Sequence, residues 1–376
     1  MIKDYLETKK FVMKCMSPVH IGNGDVPLKS FQYMYDEQHN KVYFLDEHKW
    51  SIFLFKRQLT DAFAKAIMEP RGINALEWIM SRPGITRQDI LEVTNGYANT
   101  PINIKKNKYT LNDIVRTSCQ SDGQPYIPGS SIKGALRTGI IFKWLKLNPD
   151  EAQTYWKEID VRRNLPSKAL KQELNNIVVK IEKKALGEEP IVETGKKGRK
   201  IASGLKVSDG ICKNRVTTIV VPKLDGHTNE PRPKSISVFR EALPTGTEVE
   251  FYITMERDLL KQGGIETIDE LLMAQLEFLK LGWDYQKTAF RYYEKELLEA
   301  ENADLVLGGG TGFLTKSLLL ALAPNKAAAK YTIASILNSI FGKHIDKEIS
   351  PRTLKLTKER QQMQLMGLCQ LQEVNV

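Results

Sequence analysis

Tyr126-Ile127-Pro128-Gly129-Ser130-Ser131-Ile132-Lys133-Gly134-Ala135-Leu136-Arg137 is the stretch on which the fold turns. Proline and glycine end a short extended piece, and a serine then stands where a helix N-cap is wanted. Ile132, Leu136 and Ile140 recur at helical spacing, so the helix should bury one stripe and run to about Leu147, ahead of Pro149. A helix N-terminus offers unpaired backbone N–H groups and the positive end of the dipole. Ser130 and Ser131 add hydroxyl donors, while Gly129 and Gly134 permit close backbone approach. Lys133 and Arg137, four residues apart, project from one helix face. These residues suit a phosphate or an RNA backbone. A capped helix with a solvated Lys/Arg pair uses the same residues without a ligand.

On the N-terminal side, Lys9 to Val19 reads as a strand, followed by the glycine turn His20-Ile21-Gly22-Asn23-Gly24-Asp25. A hairpin is expected from Phe31–Tyr35 to Lys41–Leu45. Helical spacing of Trp50, Phe53, Leu54, Leu59 and Phe63 then opens a helical insertion over about residues 46–119, broken at Pro70-Arg71-Gly72 and Pro83-Gly84. On the C-terminal side come a charged helical stretch from Asp150 to Leu186 and a basic loop with Lys196, Lys197, Arg199 and Lys200. Strands are expected at Leu205–Val207, Thr217–Val221, Ser235–Arg240 and Thr247–Thr254, with a loop at Asp225–Pro233. Helices follow over Ile268–Leu281 and Trp283–Leu298, and a short strand enters Gly308-Gly309-Gly310-Thr311-Gly312-Phe313. The pattern is α+β: two ferredoxin-like (RRM-like) domains, 1–215 with the insertion and 216–323, then a helical C-terminal segment, 324–376.

Composition narrows the function. At 376 residues the chain holds two or three domains, and 41% hydrophobic residues supply real cores, so disorder as the main state is excluded. Lys and Arg number 55 against 45 Asp and Glu, a net charge of +10 that points to a polyanion, first of all nucleic acid. The longest apolar run, near Leu318–Ala323, is far short of a membrane span. MIKDYLETKK carries no apolar leader core, so no secretory leader is expected. Cys15, Cys119, Cys212 and Cys369 form no CxxC and read as reduced thiols of a cytoplasmic protein. The five histidines are equally scattered, so no metal or cofactor is expected.

The second glycine turn invites two nucleotide-binding readings and satisfies neither. A P-loop needs glycine before Lys316-Ser317, where Thr315 stands, and a dinucleotide fingerprint needs glycine where Phe313 stands. What is left is a turn whose amides can face a phosphate, with Phe313 free to stack on a base, or a tight crossover with Phe313 buried. His20 can act as a general acid–base or as a structural hydrogen-bond donor. Asp25 can orient a 2′-OH, but a turn carboxylate suffices to explain it.

At these segments the chain resembles the RAMP superfamily of CRISPR-associated proteins. Ser17-Pro18-Val19-His20-Ile21-Gly22 looks like its turn after the first strand. Tyr126–Arg137 is similar to its most specific motif, and Gly308–Phe313 to its C-terminal glycine-rich loop. Leu205–Asp209 and Val238–Thr247 match in style. Within the superfamily, the resemblance is to the fifth-subunit family of type III-A (Csm) interference complexes. That resemblance implies a subunit without a catalytic centre that binds the 3′ region of a crRNA. It implies capping of the head end against the backbone-forming Csm subunit, and support of 3′-end maturation as a platform for nucleases. Carried to residues, it implies that Gly129, Ser130, Ser131, Lys133, Gly134 and Arg137 clamp the guide backbone. Lys196, Lys197, Arg199, Lys200 and Arg240 add electrostatic hold. Gly309, Gly310, Thr311, Gly312 and Phe313 meet RNA or a neighbouring subunit, and His20, Ser208 and Asp209 bond to sugar or base. Two departures stand out: about 100 residues separate the first glycine turn from the Pro-Gly-Ser-Ser motif, and Asp25 has no clear match to the backbone subunit's catalytic aspartate. Alternatives are a metal-independent endoribonuclease using His20, or a protein scaffold with incidental basic charge.

Overall fold

Phe11, Met13 and Cys15 alternate with Val12 and Lys14 along β1 (Leu6–Cys15), so one face of that strand is buried and the other is not. The computed structural model describes residues 5–69, 73–104, 106–107, 109, 111–187, 201–342, 346 and 348–374. After β1 come the hairpin β2 (Tyr33–Asp36) and β3 (Lys41–Leu45) and four short helices, α1 (Glu47–Lys56), α2 (Thr60–Ile67), α3 (Ala75–Met80) and α4 (Arg87–Glu92). Strands β4 (Thr94–Asn99), β5 (Asp113–Val115) and β6 (Tyr126–Ile127) lead into α5 (Gly129–Leu147), α6 (Pro149–Arg162) and α7 (Ser167–Ala185). Then follow β7 (Leu205–Val207), β8 (Gly210–Cys212), β9 (Ile219–His227), β10 (Glu230–Ala242) and β11 (Glu248–Glu256). Helices α8 (Arg257–Leu260), α9 (Ile268–Gln286) and α10 (Glu294–Ala300) precede β12 (Leu305–Val306). After it come α11 (Leu319–Leu322), α12 (Lys326–Phe341), β13 (Thr353–Glu359), β14 (Gln362–Leu365) and β15 (Leu368–Val374).

The strands form two curled sheets, the expected α+β architecture. The first runs β12-β15-β1-β11-β8-β6, with β7 also on β11. The second runs β14-β13-β9-β4-β3-β2, and the β10–β5 pair joins it through β9. Ile132, Leu136 and Ile140 of α5 are fully buried in one core with Phe11, Met13, Phe251 and Ile253 of the first sheet. The insertion has a small core of its own, in which Trp50, Leu54, Phe63 and Ile79 cover Met34 and Tyr43 of the hairpin.

Four expectations change. The helical C-terminal segment is helical only through Phe341; residues 353–374 hold three strands. β15 lies between β12 and β1, and β13 pairs with β9, so these strands belong to both sheets. The Leu354-Lys355-Leu356 alternation was a strand signal in the sequence, but the runs are short and come after a helix. The helical insertion stops at Glu92, and β4 and β5 are strands of the second sheet, too short and polar to show a period. Asp225–Pro233, expected as a loop, lies mostly within the β9–β10 hairpin, whose outer arm tolerates Pro231 and Pro233 because it is largely solvent-facing. Finally, each sheet takes strands from both sides of residue 215: β1, β6, β7 and β8 share a sheet with β11, β12 and β15. Cys15 and Cys369, far apart in sequence, are cross-strand neighbours and both thiols are free.

Candidate nucleic-acid interface

The segment after β1 and the loop after β12 emerge at the same end of the first sheet, because the intervening β15 is antiparallel to both. They are laced together by backbone bonds. Gly309 N donates to His20 O at 2.8 Å, Gly367 N to Pro18 O at 2.9 Å, and Leu307 N to Gly367 O at 2.9 Å. This close approach explains Gly308: its φ is +82°, and a Cβ there would stand 1.9 Å from His20 O. The His20 ring is buried, and Nδ1 lies 2.7 Å from Glu241 O. A carbonyl only accepts, so Nδ1 carries a proton and donates it. Burial, followed by the charges of Arg240 and Lys316, pushes its pKa down to about 4.

Arg240 reaches the glycine loop from β10. A Cβ on Gly309 or Gly310 would stand about 3.5 Å from the guanidinium, at 3.6 Å and 3.5 Å respectively. Its Nη1 is buried with no hydrogen-bond partner. Lys316 folds back from the far side of the loop, and its Nζ donates to Gly308 O at 2.6 Å. Lys355 lies beside Gly312 and pairs with Asp225 at 2.7 Å. Lys223 completes the group. Burial lowers the pKa of Arg240, Lys316 and Lys223. Arg240 lowers Lys316 further, and Lys355 and Arg240 lower Lys223. Four cations thus stand together at the glycine loop: Arg240 and Lys223 partly buried, Lys355 partly buried and paired with Asp225, and Lys316 exposed. Like charges gathered around a partly buried guanidinium are stabilised by an anion that reaches them. Phe313, 37% exposed at the end of the loop, remains open for stacking, while Thr311 is buried and donates to Gly308 O.

The other motif builds a different place. Pro128 is the N-cap of α5 and has no side chain that can cap it, so neither Ser130 nor Ser131 has the capping role read from the sequence. Instead Gly129 N donates to Asp209 Oδ1 at 2.7 Å, and this carboxylate occupies the anion position at the helix start. Gly129 is needed there because a Cβ would stand 2.4 Å from Val207 O. Ser208 Oγ accepts from Tyr252 N at 2.9 Å. Lys133 Nζ donates to Leu205 O at 2.6 Å, and Arg137 lies 3.5 Å from Glu182. Gly134 and Ser130 remain exposed. The two motifs leave opposite edges of the first sheet, β6 and β12, five strand spacings or roughly 24 Å apart along the sheet. One contiguous clamp is therefore replaced by two stations. Lys196, Lys197, Arg199 and Lys200 lie outside the described residues.

Sequence reading named Arg240, His20 and the glycine loop, which the fold brings together, but missed Lys316, Lys223 and Lys355. The available clue was Lys316 just beyond the loop, at a spacing that fits no P-loop. Among the described residues no three His, Cys, Asp or Glu side chains are grouped to hold a metal ion, and no helix is long and apolar enough to cross a membrane.

Comparison with known proteins places the chain as a whole. The chain is 25% identical over 366 residues to a CRISPR system Csm5 protein of Streptococcus thermophilus, covering 95% of this chain and 90% of that one. It is 23% identical over 393 residues to the Csm5 protein of Mycobacterium tuberculosis H37Rv, covering 98% of each. A chain of a Csm–crRNA–target RNA ternary complex from a type III-A CRISPR-Cas system superposes with a TM-score of 0.67 at 20% identity, covering 97% of this chain and all (100%) of that one. The crystal structure of T. onnurineus Csm5 gives 0.58 at 18% identity, covering 95% and 99%. The model of the RAMP superfamily matches residues 12–314, and with its glycine-rich loop seated on the turn after the first strand, this chain belongs to that superfamily.

Proposed function

We propose that the chain is a non-catalytic, crRNA-binding Csm subunit of a type III-A CRISPR complex. In this reading it caps the 3′ (head) end of the complex against the backbone subunit and supports 3′-end maturation by nucleases it helps to place. It works in the cytoplasm, where its free thiols stay reduced. The observation that carries the reading is the cationic cluster at the glycine loop, where Arg240 holds a buried, unbonded Nη1 near Lys316, Lys223 and Lys355. Glycine-loop amides and a cationic wall suit a sugar-phosphate backbone. His20 is buried, neutral and bonded to Glu241 O, which suits it to bracing the loop and leaves it without the proton a general acid at neutral pH would need.

The test is a salt titration of single-stranded RNA binding, with the same samples run on a gel. Each neutralised phosphate adds about −0.7 to the slope of log affinity against log salt. The Arg240→Ala/Lys316→Ala variant should flatten that slope by roughly 1.4, the sum for two contacts, with the RNA intact throughout. A wild-type slope near zero would sink the phosphate-binding reading, and cut RNA would sink the non-catalytic one.

A further inference from the structure

The insertion carries a cleft with an apolar floor and an acidic rim, which RNA binding leaves unexplained. It lies at the outer edge of the second sheet, beside β2, and encloses about 390 Å³. Tyr43 of β3 and Ile90 of α4, both buried, form its floor. Leu76 and Met80, one helical turn apart on α3, make one wall, and Leu91 of α4 makes another. Met80 is 43% exposed and Leu91 46%, so two large apolar side chains stand in water at the mouth. Covering them takes that apolar surface out of water, which favours an apolar occupant.

Charge decides which kind. Asp36, Glu37 and Glu77 line the cleft against a single lining cation, Arg87, among the described residues. Arg87 already pairs with Asp36 at 2.7 Å. The lining is thus net negative on a chain whose net charge is +10. Such a rim repels a phosphate backbone and attracts a cation. β3, β4 and β9 separate β2 from β10, which carries Arg240, so the cleft and the cationic cluster occupy separate parts of the sheet. We propose that the cleft docks a protein partner through a segment in which a large apolar side chain is flanked by lysine or arginine. The apolar side chain packs on Tyr43 and Ile90 between Met80 and Leu91, and the flanking cation meets Glu77. This contact is additional to the RNA-binding role and does not depend on it.

The experiment selects a phage-displayed library of random short peptides on the full chain, then measures the enriched peptides, made synthetically, by fluorescence polarisation. Enriched peptides should carry a large apolar residue with a lysine or arginine beside it. Met80→Ser/Leu91→Ser and Glu77→Lys should each weaken their binding about tenfold, and a glutamate in place of the peptide's cation should restore binding to Glu77→Lys. Met80, Leu91 and Glu77 are exposed, so an unchanged melting temperature is expected of both variants. Arg240→Ala/Lys316→Ala should bind the peptides like wild type. A library that yields no enriched peptide, or peptides that bind both cleft variants like wild type, overturns the proposal. So does a wild-type dimer that Met80→Ser/Leu91→Ser splits, because the occupant is then a second copy of the chain. Peptides that are lost instead with Arg240→Ala/Lys316→Ala sit at the glycine loop and overturn it as well.

Discussion

Arg240 is a cation held against a glycine loop without a hydrogen bond, with Asp225 as the charge that favours it. Keeping such a group desolvated costs stability that an anion recovers on binding. Arg240→Met keeps the length and removes the charge. The free protein should become more stable by about 1 kcal/mol, read as a rise of about 2 °C in Tm, while RNA affinity falls. A variant that loses both would mean that Arg240 is a structural strut. His20 makes a pH prediction. Its pKa is about 4 in the folded chain against an ordinary 6.5, so between those values the unfolded chain binds more protons. This contribution is complete above pH 6.5 and is lost as pH falls toward 4. Urea unfolding across that window should show His20→Gln with a shallower acid slope than wild type. His20 and the loop residues Gly309–Phe313 were legible in the sequence because they stand in glycine turns, and Arg240 because it lies in the Val238–Thr247 stretch that carries the resemblance. Lys223 and Lys355 were not, because a lysine in a strand has no pattern that tells a cleft from solvent.

At the scale of elements, the glycine loop separates close approach from backbone freedom. Gly308 and Gly312 both have positive φ, but a Cβ at Gly308 meets His20 O at 1.9 Å, while one at Gly312 meets nothing nearer than Lys355 Cγ at 3.8 Å. Gly308→Ala should therefore cost about 3 kcal/mol or more in chemical denaturation, and Gly312→Ala about 1 kcal/mol. Equal costs would mean that the loop moves freely off the His20 segment. On α5, Gly134 has open space around it and ordinary helical φ, so Gly134→Ala should stabilise the chain by up to about 1 kcal/mol. Asp209→Ala should cost about 1 kcal/mol by leaving Gly129 N without its carboxylate. The length of α5 was readable from Ile132, Leu136 and Ile140. Its cap was not, because the capping carboxylate comes from 80 residues downstream.

At the scale of the molecule, the C-terminal strands tie the two sheets. β15 separates β12 from β1, and β13 separates β14 from β9. Removing residues 353–376 would open an unpaired edge on β1 in the first sheet and on β9 in the second, and would uncover Phe11, Met13 and Leu224. The truncated chain should show no cooperative melt and should aggregate. A truncated chain that melts cooperatively, as wild type does, would show that these strands are accessory.

Local grammar was enough for the class of fold: a proline-glycine turn into an apolar-striped helix, β-branched runs, and two glycine turns at the ends of strands. The basic balance and the glycine-rich motifs were enough to point toward RNA. Both depend on spacing within a few residues, where backbone geometry and side-chain period act directly. Partnership between distant segments was decided only by the tertiary structure. Strand pairing in these sheets joins Cys15 to Cys369 and Leu305 to Cys369, contacts with no local period to betray them. The same pairing moved the Pro-Gly-Ser-Ser helix and the glycine loop to opposite edges of one sheet, filled the first motif's anion position with Asp209, and left the second facing four cations. Whether a helix start or a glycine turn is open to a phosphate depends on which distant side chain reaches it first, and that is settled by packing.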